Sequence, residues 1–426
     1  MRDKTFAIGW FVTFLLGLIL AGAANYVIDP YGMFEVKRIE GLNEIKPAAA
    51  TRVTTAKVYQ VLKAHPRSLI VGNSRPELGL NPQNACWEAY EQPVYNTSLP
   101  GQSFYRQVRY AQHAMATGDV GTVLLGLDIL DFLVDRNRPE RIGPGWPNPK
   151  QETRSWLVQP DGQADPGFLW DRLDDGFRAV MSVQALADSA YTVMSQGNPD
   201  VSTRTALGFN PGERTYGAII RNEGVKVLFQ EKNKSIAARL TGQDLSVRTP
   251  GGKLSPTFAV LEGFLNYARV KGVRVIPFIN PYHAEYMLLL DRAGLWGDFD
   301  EWRREVTRIV EQTGDGPLWD FNGFNGYTTE GVDTVAAKGE ALAWFWEPSH
   351  YRQELGDIML SRMLDRHCDS KELNEDFGVQ VTQKTIDDRL EGLALQRDLY
   401  MLANPNDVLR LSKLVKRQEE ISLATQ

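Results

Sequence analysis

A serine at the end of a predicted strand is the first residue in this chain whose type and position suit covalent chemistry. Ser74 follows the apolar run 68–72 within the segment GNSR. A tight turn of small residues at the end of a buried strand holds a hydroxyl out toward a cleft, where it can act as a nucleophile. The same turn directs the Ser74 backbone N–H to that point, where it can stabilise an oxyanion. A serine in this position is more often only a turn or helix-capping residue, so the segment alone does not decide its role.

A histidine that could serve as the base lies late in the sequence, beside a glutamate. Glu347 and His350 belong to the segment WEPSHY. Pro348 suits the first position of a helix, which predicts that the two side chains share one helical turn. A carboxylate at that distance orients the imidazole, and a neutral histidine held in this way is a base near neutral pH. The alternative is a helix-capping glutamate next to a packed histidine.

A third segment supplies a candidate oxyanion donor. The segment YNTSLPG ends a predicted strand and places Gly101 just before a helix. A glycine there lets the backbone approach a ligand closely, and its N–H can donate to a developing negative charge. The plainer interpretation is a helix-entry turn. The three segments together make Ser74, His350 and Glu347 candidates for a catalytic triad, and the N–H groups of Ser74 and Gly101 candidates for an oxyanion hole.

The elements that must position these residues are buried strands separated by helices. Short apolar runs typical of parallel strands occur at 68–72, 94–96, 122–127, 274–279 and 317–319. Helical spacing of apolar residues at 102–117 and 257–271 fits crossover connections between strands. The pattern predicts an α/β fold, a three-layer sandwich around a mostly parallel five-stranded sheet. In such a sheet catalytic groups gather where the strands end, because the loops there form a crevice.

The order of these motifs resembles the SGNH hydrolase superfamily. The segment GNSR, a loop containing Asn96 and Gly101, and an acidic-x-x-His motif near the end match it over about 67–364, apart from an insertion. The superfamily includes lipolytic and carbohydrate esterases and bacterial surface proteins that move acyl groups onto polysaccharides or teichoic acids. The resemblance implies a flavodoxin-like fold, Ser74 as nucleophile, His350 and Glu347 as the rest of the catalytic triad, and Gly101 as an oxyanion donor. The segments DPYGMF, INPYHAEY and WEPSHY are also similar to a family of exported bacterial proteins.

The sequence departs from the superfamily pattern at two positions. Where a Gly-x-Asn-Asp block is usual, this chain has Gly-Leu-Asp ending at Asp128, so the asparagine that donates to the oxyanion is absent. An ionised Asp128 opposes an oxyanion. Either Asn73, Asn96 or Asn280 replaces the missing donor, or Asp128 has another task such as pairing with Arg75. Glu347 stands where an aspartate is usual, but its longer arm still reaches an imidazole.

Several polar residues near the predicted strand ends are candidates for lining the substrate site. The substrate-lining candidates are Asn73, Asn96, Asp128, Asn280, Tyr282 and His283. For His283, a loop histidine bonded to the backbone is at least as good an interpretation. His65, His113 and His367 have no metal-ligand spacing with acidic residues or with each other, which assigns them to structure or surface. We expect no metal and no cofactor.

The composition excludes some classes of partner and indicates a membrane tether. The formal charge of -6 comes from mixed charges without a long basic run, so nucleic acid is not an expected partner. Residues 6–24 carry no charge and follow Arg2 and Lys4, which predicts a signal anchor with the main domain outside the inner membrane, on the periplasmic side. The alternative is a signal peptide cleaved near the small residues 21–23.

The domain organisation follows from these features. We predict a signal anchor at 1–25, a stalk and first helix at 26–65, an α/β domain at 66–369 with an insertion at 136–254, and a helical tail at 370–426. Cys86 and Cys368 are the only cysteines. Their surroundings resemble packed segments, which favours two unpaired, mostly buried thiols over a disulfide.

The expected function is that of a membrane-tethered serine acyl-esterase or O-acyltransferase. Its expected substrate is an acylated cell-envelope glycan or another ester, and an integral membrane acyl-donor protein is a candidate partner. The alternative is a non-catalytic glycan-binding or scaffold subunit of a polysaccharide modification system, which the missing oxyanion asparagine favours.

Overall fold

The computed structural model describes residues 2–138, 154–314, 316–332, 339–366, 368 and 377–425. The strands in this part of the chain are β1 (Ser68–Val71), β2 (Val94–Asn96), β3 (Thr122–Leu127), β4 (Val134–Asp135), β5 (Leu245–Ser246), β6 (Arg274–Ile279), β7 (Leu318–Asp320), β8 (Phe345–Glu347), β9 (His350–Tyr351) and β10 (Val379–Val381). The helices are α1 (Arg2–Ile28), α2 (Pro47–Thr51), α3 (Val53–Ala64), α4 (Ser74–Gly79), α5 (Phe104–Met115), α6 (Phe168–Met181), α7 (Val183–Met194), α8 (Ala218–Glu223), α9 (Val225–Thr241), α10 (Pro256–Val270), α11 (Ala284–Arg292), α12 (Trp296–Thr313), α13 (Gln353–Met363), α14 (Ile386–Ala403) and α15 (Pro405–Thr425).

The main sheet has six strands in the order β10-β7-β6-β3-β1-β2. Strands β2, β1, β3, β6 and β7 are parallel, whereas β10 pairs antiparallel with β7. The prediction of a mostly parallel sheet is confirmed, and the predicted number of five strands is wrong because β10 adds a sixth. This strand comes from the segment predicted to be a helical tail. A three-residue strand at a sheet edge is too short to show a period of two in the sequence.

Helices cover both faces of the sheet. Alternate side chains of a strand point to opposite faces. Leu69 and Val71 of β1 therefore join one apolar core with α5, α10 and α12, while Ile70 joins a second core that includes residues of α9 and α13. Both faces of β1 are buried, which explains why its sequence is a continuous apolar run without alternation.

The predicted insertion begins and ends beside a small two-stranded sheet. Strands β4 and β5 pair antiparallel and bring the two ends of this segment together. Helices α6 to α9 lie between them along the chain. The predicted insertion also contains residues 139–153, which lie outside the described part of the chain.

The segment predicted to be an extended stalk is packed against the rest of the protein. Tyr31 and Met33 belong to an apolar cluster with residues of α3 and α5. Lys46 is buried, and its Nζ donates to the carbonyl oxygens of Ile28 and Asp29 at 2.9 and 2.6 Å. These bonds satisfy carbonyl groups at the end of α1, which otherwise have no partner within the helix. The chain therefore turns back at the end of α1 instead of extending away from it.

Within the described residues, one helix is long and apolar enough to cross a membrane. It covers Lys4–Ile28, has a mean hydropathy of 2.2 and is 6% buried within the protein. Such a helix at this position is either a membrane anchor or a signal sequence.

The two cysteines form a disulfide, so the prediction of unpaired thiols is wrong. Cys86 and Cys368 have Cα atoms 5.2 Å apart, within the range that a disulfide requires. The bond links the loop after α4 to the residues that follow α13. The sequence separation of 282 residues hides this proximity, because only the fold brings α4 and α13 together.

Candidate active site

Ser74 is the first residue of α4 and follows directly from the turn that ends β1. Gly72 in this turn has no room for a side chain, because a Cβ atom there would lie 2.6 Å from Cγ of Pro76. Asn73 caps the helix, since its Oδ1 accepts the Arg75 N–H at 3.0 Å. As the first helical residue, Ser74 has an N–H with no acceptor in its own helix.

Glu347 and His350 lie on a β-hairpin formed by β8 and β9. The two residues face each other across its turn, with Pro348 and Ser349 between them. The prediction that they share a helical turn is therefore wrong, and α13 begins only at Gln353. Proline favours the second position of a β-turn as well as the first turn of a helix, so the sequence pattern fits both. The consequence for the side chains is the same, because a tight turn also brings residues three apart together.

The structure brings the three predicted triad residues into contact. Ser74 Oγ lies 2.6 Å from His350 Nε2, although 276 residues separate them in sequence. On the other side of the ring, His350 Nδ1 bonds to Glu347 Oε1. Glu347 is completely buried, and its Oε2 accepts the Ser349 N–H at 3.1 Å. Because a carboxylate only accepts hydrogen bonds, Nδ1 carries the proton and Nε2 is left to accept from the serine hydroxyl.

The local charges keep Glu347 ionised. Burial acts to raise the pKa of its carboxyl, but the charge and hydrogen bond of His350, together with Lys232 and the Ser349 N–H, outweigh burial and lower the pKa below its usual value. An ionised carboxylate in this position is able to stabilise an imidazolium.

Tyr216 is a site residue that the sequence pattern did not indicate. Its hydroxyl oxygen lies 3.2 Å from His350 Nδ1, and its ring packs against Trp346 and His350. Burial and the charge of Glu347 raise the pKa of this phenol well above its usual value, so it stays protonated. Tyr216 belongs to the predicted insertion, in a π-helical turn at Glu213–Gly217. A single irregular turn has no sequence periodicity from which this contact could be inferred.

The loop that carries Gly101 runs beside the serine turn. The Leu99 N–H donates to the carbonyl oxygen of Gly72 at 2.8 Å, which extends the pairing of β2 with β1 to the end of the strand. Pro100 lines the same cleft as Ser74. Gly101 follows with a φ of +65°, a conformation that favours glycine. Its role as an oxyanion donor stays a prediction.

Asp128 pairs with Arg75, one of the two alternatives that the sequence left open. The ion pair is almost fully buried. The other bonds of Asp128 come from Asn73 Nδ2 at 2.8 Å, the Leu130 N–H at 3.0 Å and the Tyr282 hydroxyl at 3.1 Å. Asp128 and Tyr282 have no exposed surface, and Asn73 is 8% exposed. The prediction that these residues line the substrate site is wrong, because their polar groups bond to one another behind Ser74.

The remaining candidates also have structural partners. Asn96 Nδ2 donates to the carbonyl oxygens of Pro76 and Leu80, at 2.9 and 3.1 Å. Asn280 is fully buried, donates to the Leu127 carbonyl at 3.0 Å and accepts from the Tyr351 hydroxyl. These bonds fasten α4, β3 and β9 to neighbouring strand ends. Neither asparagine lines the cleft as predicted.

His283 caps α11 instead of contacting substrate beside Ser74. Its Nδ1 accepts the Glu285 N–H at 3.2 Å, and its Nε2 lies 2.8 Å from the Glu330 carbonyl oxygen. The alternative of a loop histidine bonded to the backbone is therefore confirmed. His113 is also buried and bonded to the backbone, while His367 lies outside the described residues.

The cleft in front of Ser74 has a volume of about 370 Å³. It is lined by α2, α4 and Pro100, and for the larger part by residues of the insertion, among them Tyr191, Ser202, Arg204 and Tyr216. An ion-pair network forms its floor, since the buried Glu77 of α4 bonds to Arg204 of the insertion and to Lys57 of α3, each at 2.8 Å. The insertion therefore supplies one wall of the candidate site.

No group of three histidine, cysteine, aspartate or glutamate side chains suited to a metal occurs in the described part of the chain. A scan against protein-family models finds no match for this chain, and a search of curated proteins finds no significant match either. The geometry of the site is therefore the basis for a functional proposal.

Proposed function

We propose that this chain is a membrane-tethered serine acyl-esterase or O-acyltransferase of the SGNH type that acts on acyl esters of cell-envelope glycans. The observation that carries the proposal is the continuous contact from Ser74 through His350 to Glu347. A serine, an imidazole and a buried carboxylate bonded in this order are the parts that acyl transfer requires. A binding or scaffold subunit has no need of a nucleophile so arranged.

In the proposed reaction Ser74 Oγ attacks the ester carbonyl and its proton moves to His350 Nε2. The N–H groups of Ser74 and Gly101 stabilise the oxyanion of the tetrahedral intermediate. When the C–O bond to the alcohol breaks, His350 returns the proton to the leaving oxygen. The resulting acyl-enzyme is resolved by water in an esterase, or by a sugar hydroxyl in an O-acyltransferase that draws on an integral membrane acyl-donor protein.

The topology of the sheet supports the SGNH type. Across the sheet the parallel strands lie in the order β2-β1-β3-β6-β7. If these five strands are numbered by their sequence position, the order is 2-1-3-4-5, which is typical of flavodoxin-like doubly wound sheets. In such sheets ligands bind where the strand order reverses, next to the first strand. Ser74 follows β1 directly, and the bond from Arg75 to Asp128 crosses from β1 to β3 at that point.

Two features support an envelope location. Arg2 and Lys4 precede the apolar part of α1, and basic flanks favour a cytoplasmic N-terminus, which supports a main domain on the periplasmic side of the inner membrane. The disulfide between Cys86 and Cys368 fits an oxidising compartment outside the cytosol.

The test is to treat the full-length protein in detergent micelles with p-nitrophenyl acetate and with a fluorophosphonate probe. Wild type should hydrolyse the ester and form a covalent adduct on Ser74, whereas Ser74→Ala should do neither. Ser202→Ala is the matched control, because Ser202 lines the same cleft but bonds to Thr215 and not to a histidine. Labelling that persists in Ser74→Ala would exclude Ser74 as the nucleophile. A wild-type protein without labelling or turnover would favour the glycan-binding alternative.

Hydrolysis and transfer are separated by a second measurement. Wild type is incubated with the acetyl ester and an oligosaccharide acceptor, and the products are analysed by mass spectrometry. A transferase yields an acetylated sugar in a Ser74-dependent manner, whereas an esterase yields only acetate.

A further inference from the structure

Helices α6 and α7 form a hairpin whose tip is apolar and exposed. Residues 179–187, which include the end of α6 and the start of α7, contain no ionisable side chain. Within this tip Val183 is 85% exposed, with Met181 and Leu186 at 41% and 43%, and Phe177 just before it is 65% exposed. Apolar side chains grouped in this way at the end of a hairpin are costly in water and mark a contact surface.

The hairpin tip is fixed to the last turns of α1. Asn25 Nδ2 donates to the carbonyl oxygen of Val180 at 2.8 Å, and the Ser189 hydroxyl bonds to Asn25 Oδ1 at 2.9 Å. Gly22 allows the two helices to approach closely, because a Cβ atom there would lie 3.1 Å from Met181 Sδ. These contacts place the tip of the hairpin beside Gly22, measured along the axis of α1.

That height coincides with the outer edge of a bilayer crossed by α1. The apolar part of α1 begins at Phe6, and a helix rises about 1.5 Å per residue, so Gly22 lies about 24 Å further along the helix axis. A hydrocarbon core is about 30 Å thick and would therefore extend slightly beyond the level of Gly22. The uncharged tip would then lie inside the apolar boundary, while Arg178 and Asp188 flank it on the side of the main domain.

We propose that the tip of the α6–α7 hairpin, residues 179–187, inserts into the outer leaflet beside α1 as a second membrane contact. The occupant of this apolar surface is lipid, because the tip has no charged residue between Arg178 and Asp188 and adjoins the exposed apolar surface of α1. The proposal rests on the membrane anchor in the proposed function, but not on the catalytic triad.

This second contact fixes the orientation of the cleft relative to the membrane. A single helix allows a domain to rotate and tilt, whereas two contacts restrict it. Tyr191 of α7 lines the cleft that contains Ser74, so the helix that starts in the lipid also forms part of the cleft wall. The cleft therefore opens close to the bilayer surface, which suits an ester held at the membrane.

The experiment uses full-length protein in phosphatidylcholine vesicles that contain phosphatidylcholine with a diazirine on one acyl chain. After irradiation and proteolysis, mass spectrometry locates the lipid adducts. We expect adducts within 179–187 as well as on α1. Val270 and Leu402 are internal controls, because they are 82% and 79% exposed but lie on other helices, and they should carry none.

A pair of variants sharpens the test. Val183→Asp should lose the adducts of the tip and keep those of α1, whereas Val270→Asp, an equally exposed valine, should leave both unchanged. Adducts confined to α1 in the wild type would overturn the proposal. A tip without lipid adducts at any chain density, in a protein that chemical cross-linking joins to a second chain through the same residues, would identify a second copy of the chain as the occupant and would also overturn the proposal. Fluorophosphonate labelling of Ser74 is measured in parallel, so that failure of the triad and failure of the membrane contact are distinguished.

Discussion

Arg75 and Asp128 form an ion pair directly behind the candidate nucleophile, with side chains that are only 6% and 1% exposed. Arg75 also lies over the ring of Tyr282, with its guanidinium carbon 4.7 Å from the ring centre. The pair joins the turn after β1 to the end of β3. The pair therefore holds the serine turn in place.

We expect Asp128→Asn to destabilise the protein strongly. The substitution leaves the Arg75 charge buried without its partner, and breaking a buried pair costs about 3 to 5 kcal/mol. Asp244→Asn is the matched control, because Asp244 pairs with Arg136 at the surface and both side chains are more than 40% exposed. An exposed pair contributes at most about 1 kcal/mol. Chemical denaturation measures both variants, and equal losses of stability would contradict a structural role for Asp128.

Glu347→Gln should abolish most of the activity without unfolding the protein. A neutral amide no longer stabilises the imidazolium, and an equivalent change in a Ser-His-Asp triad lowers kcat by about 10⁴-fold. Because the pKa of Glu347 is lowered, its charge is kept at any pH above its usual range and is lost only in stronger acid. Its protonation should therefore cause no fall in the rate near pH 5. Glu354→Gln, at a half-buried glutamate of α13, should retain wild-type turnover of p-nitrophenyl acetate, and equal rates in both variants would exclude Glu347 from the mechanism.

The parts of the site that could be predicted from the sequence are those that depend on short, local signals. The apolar runs that become β1 and β3 are buried on both faces, so their hydrophobicity alone identified them. Once these runs are placed in a parallel sheet, the rule that polar groups gather at strand ends brings Ser74 and His350 together. The contact between these two side chains, which are 276 residues apart in sequence, was predicted from this rule and from the resemblance, and it is present in the structure.

The parts that failed depend on long-range packing. The burial of Asn96 and Asn280 follows from how α4 and β9 dock on the sheet, and no local pattern encodes that docking. The contact of Tyr216 with His350 could not be predicted either, because an irregular turn shows no periodic spacing of apolar residues in the sequence. The disulfide was missed since the surroundings of each cysteine resemble an ordinary core segment.

Removal of the disulfide should lower stability and leave the nucleophile reactive. Loss of a native disulfide costs about 2 to 5 kcal/mol. The double variant Cys86→Ser, Cys368→Ser should therefore unfold at lower temperature than wild type, and dithiothreitol should lower the melting temperature of wild type but not of the variant. Below the transition, fluorophosphonate labelling of Ser74 should persist, since neither cysteine contacts the triad. Two titratable thiols in unreduced wild type would contradict the bond.

The buried His113 should make the stability of the protein depend on pH. Its Nε2 donates to the Val58 carbonyl oxygen at 3.0 Å and its Nδ1 accepts the Leu157 N–H at 3.1 Å, which requires the neutral ring. Burial lowers its pKa from 6.5 to about 4. The unfolded chain therefore binds a proton that the folded chain excludes, and stability falls as the pH drops from about 6.5 to about 4, by roughly 3 kcal/mol in total.

A comparison with His113→Gln isolates this effect. Burial raises the pKa of Asp131 to about 6, which stabilises the folded state in acid and opposes the histidine over part of the same range. The quantity to measure is therefore the difference in unfolding free energy between wild type and His113→Gln, taken at several pH values from 7 to 4. We expect the difference in unfolding free energy in favour of wild type to shrink as the pH falls. Only folded wild type must keep an imidazole neutral that is protonated in the unfolded chain. Parallel stability curves for the two proteins would mean that His113 titrates normally in the folded state.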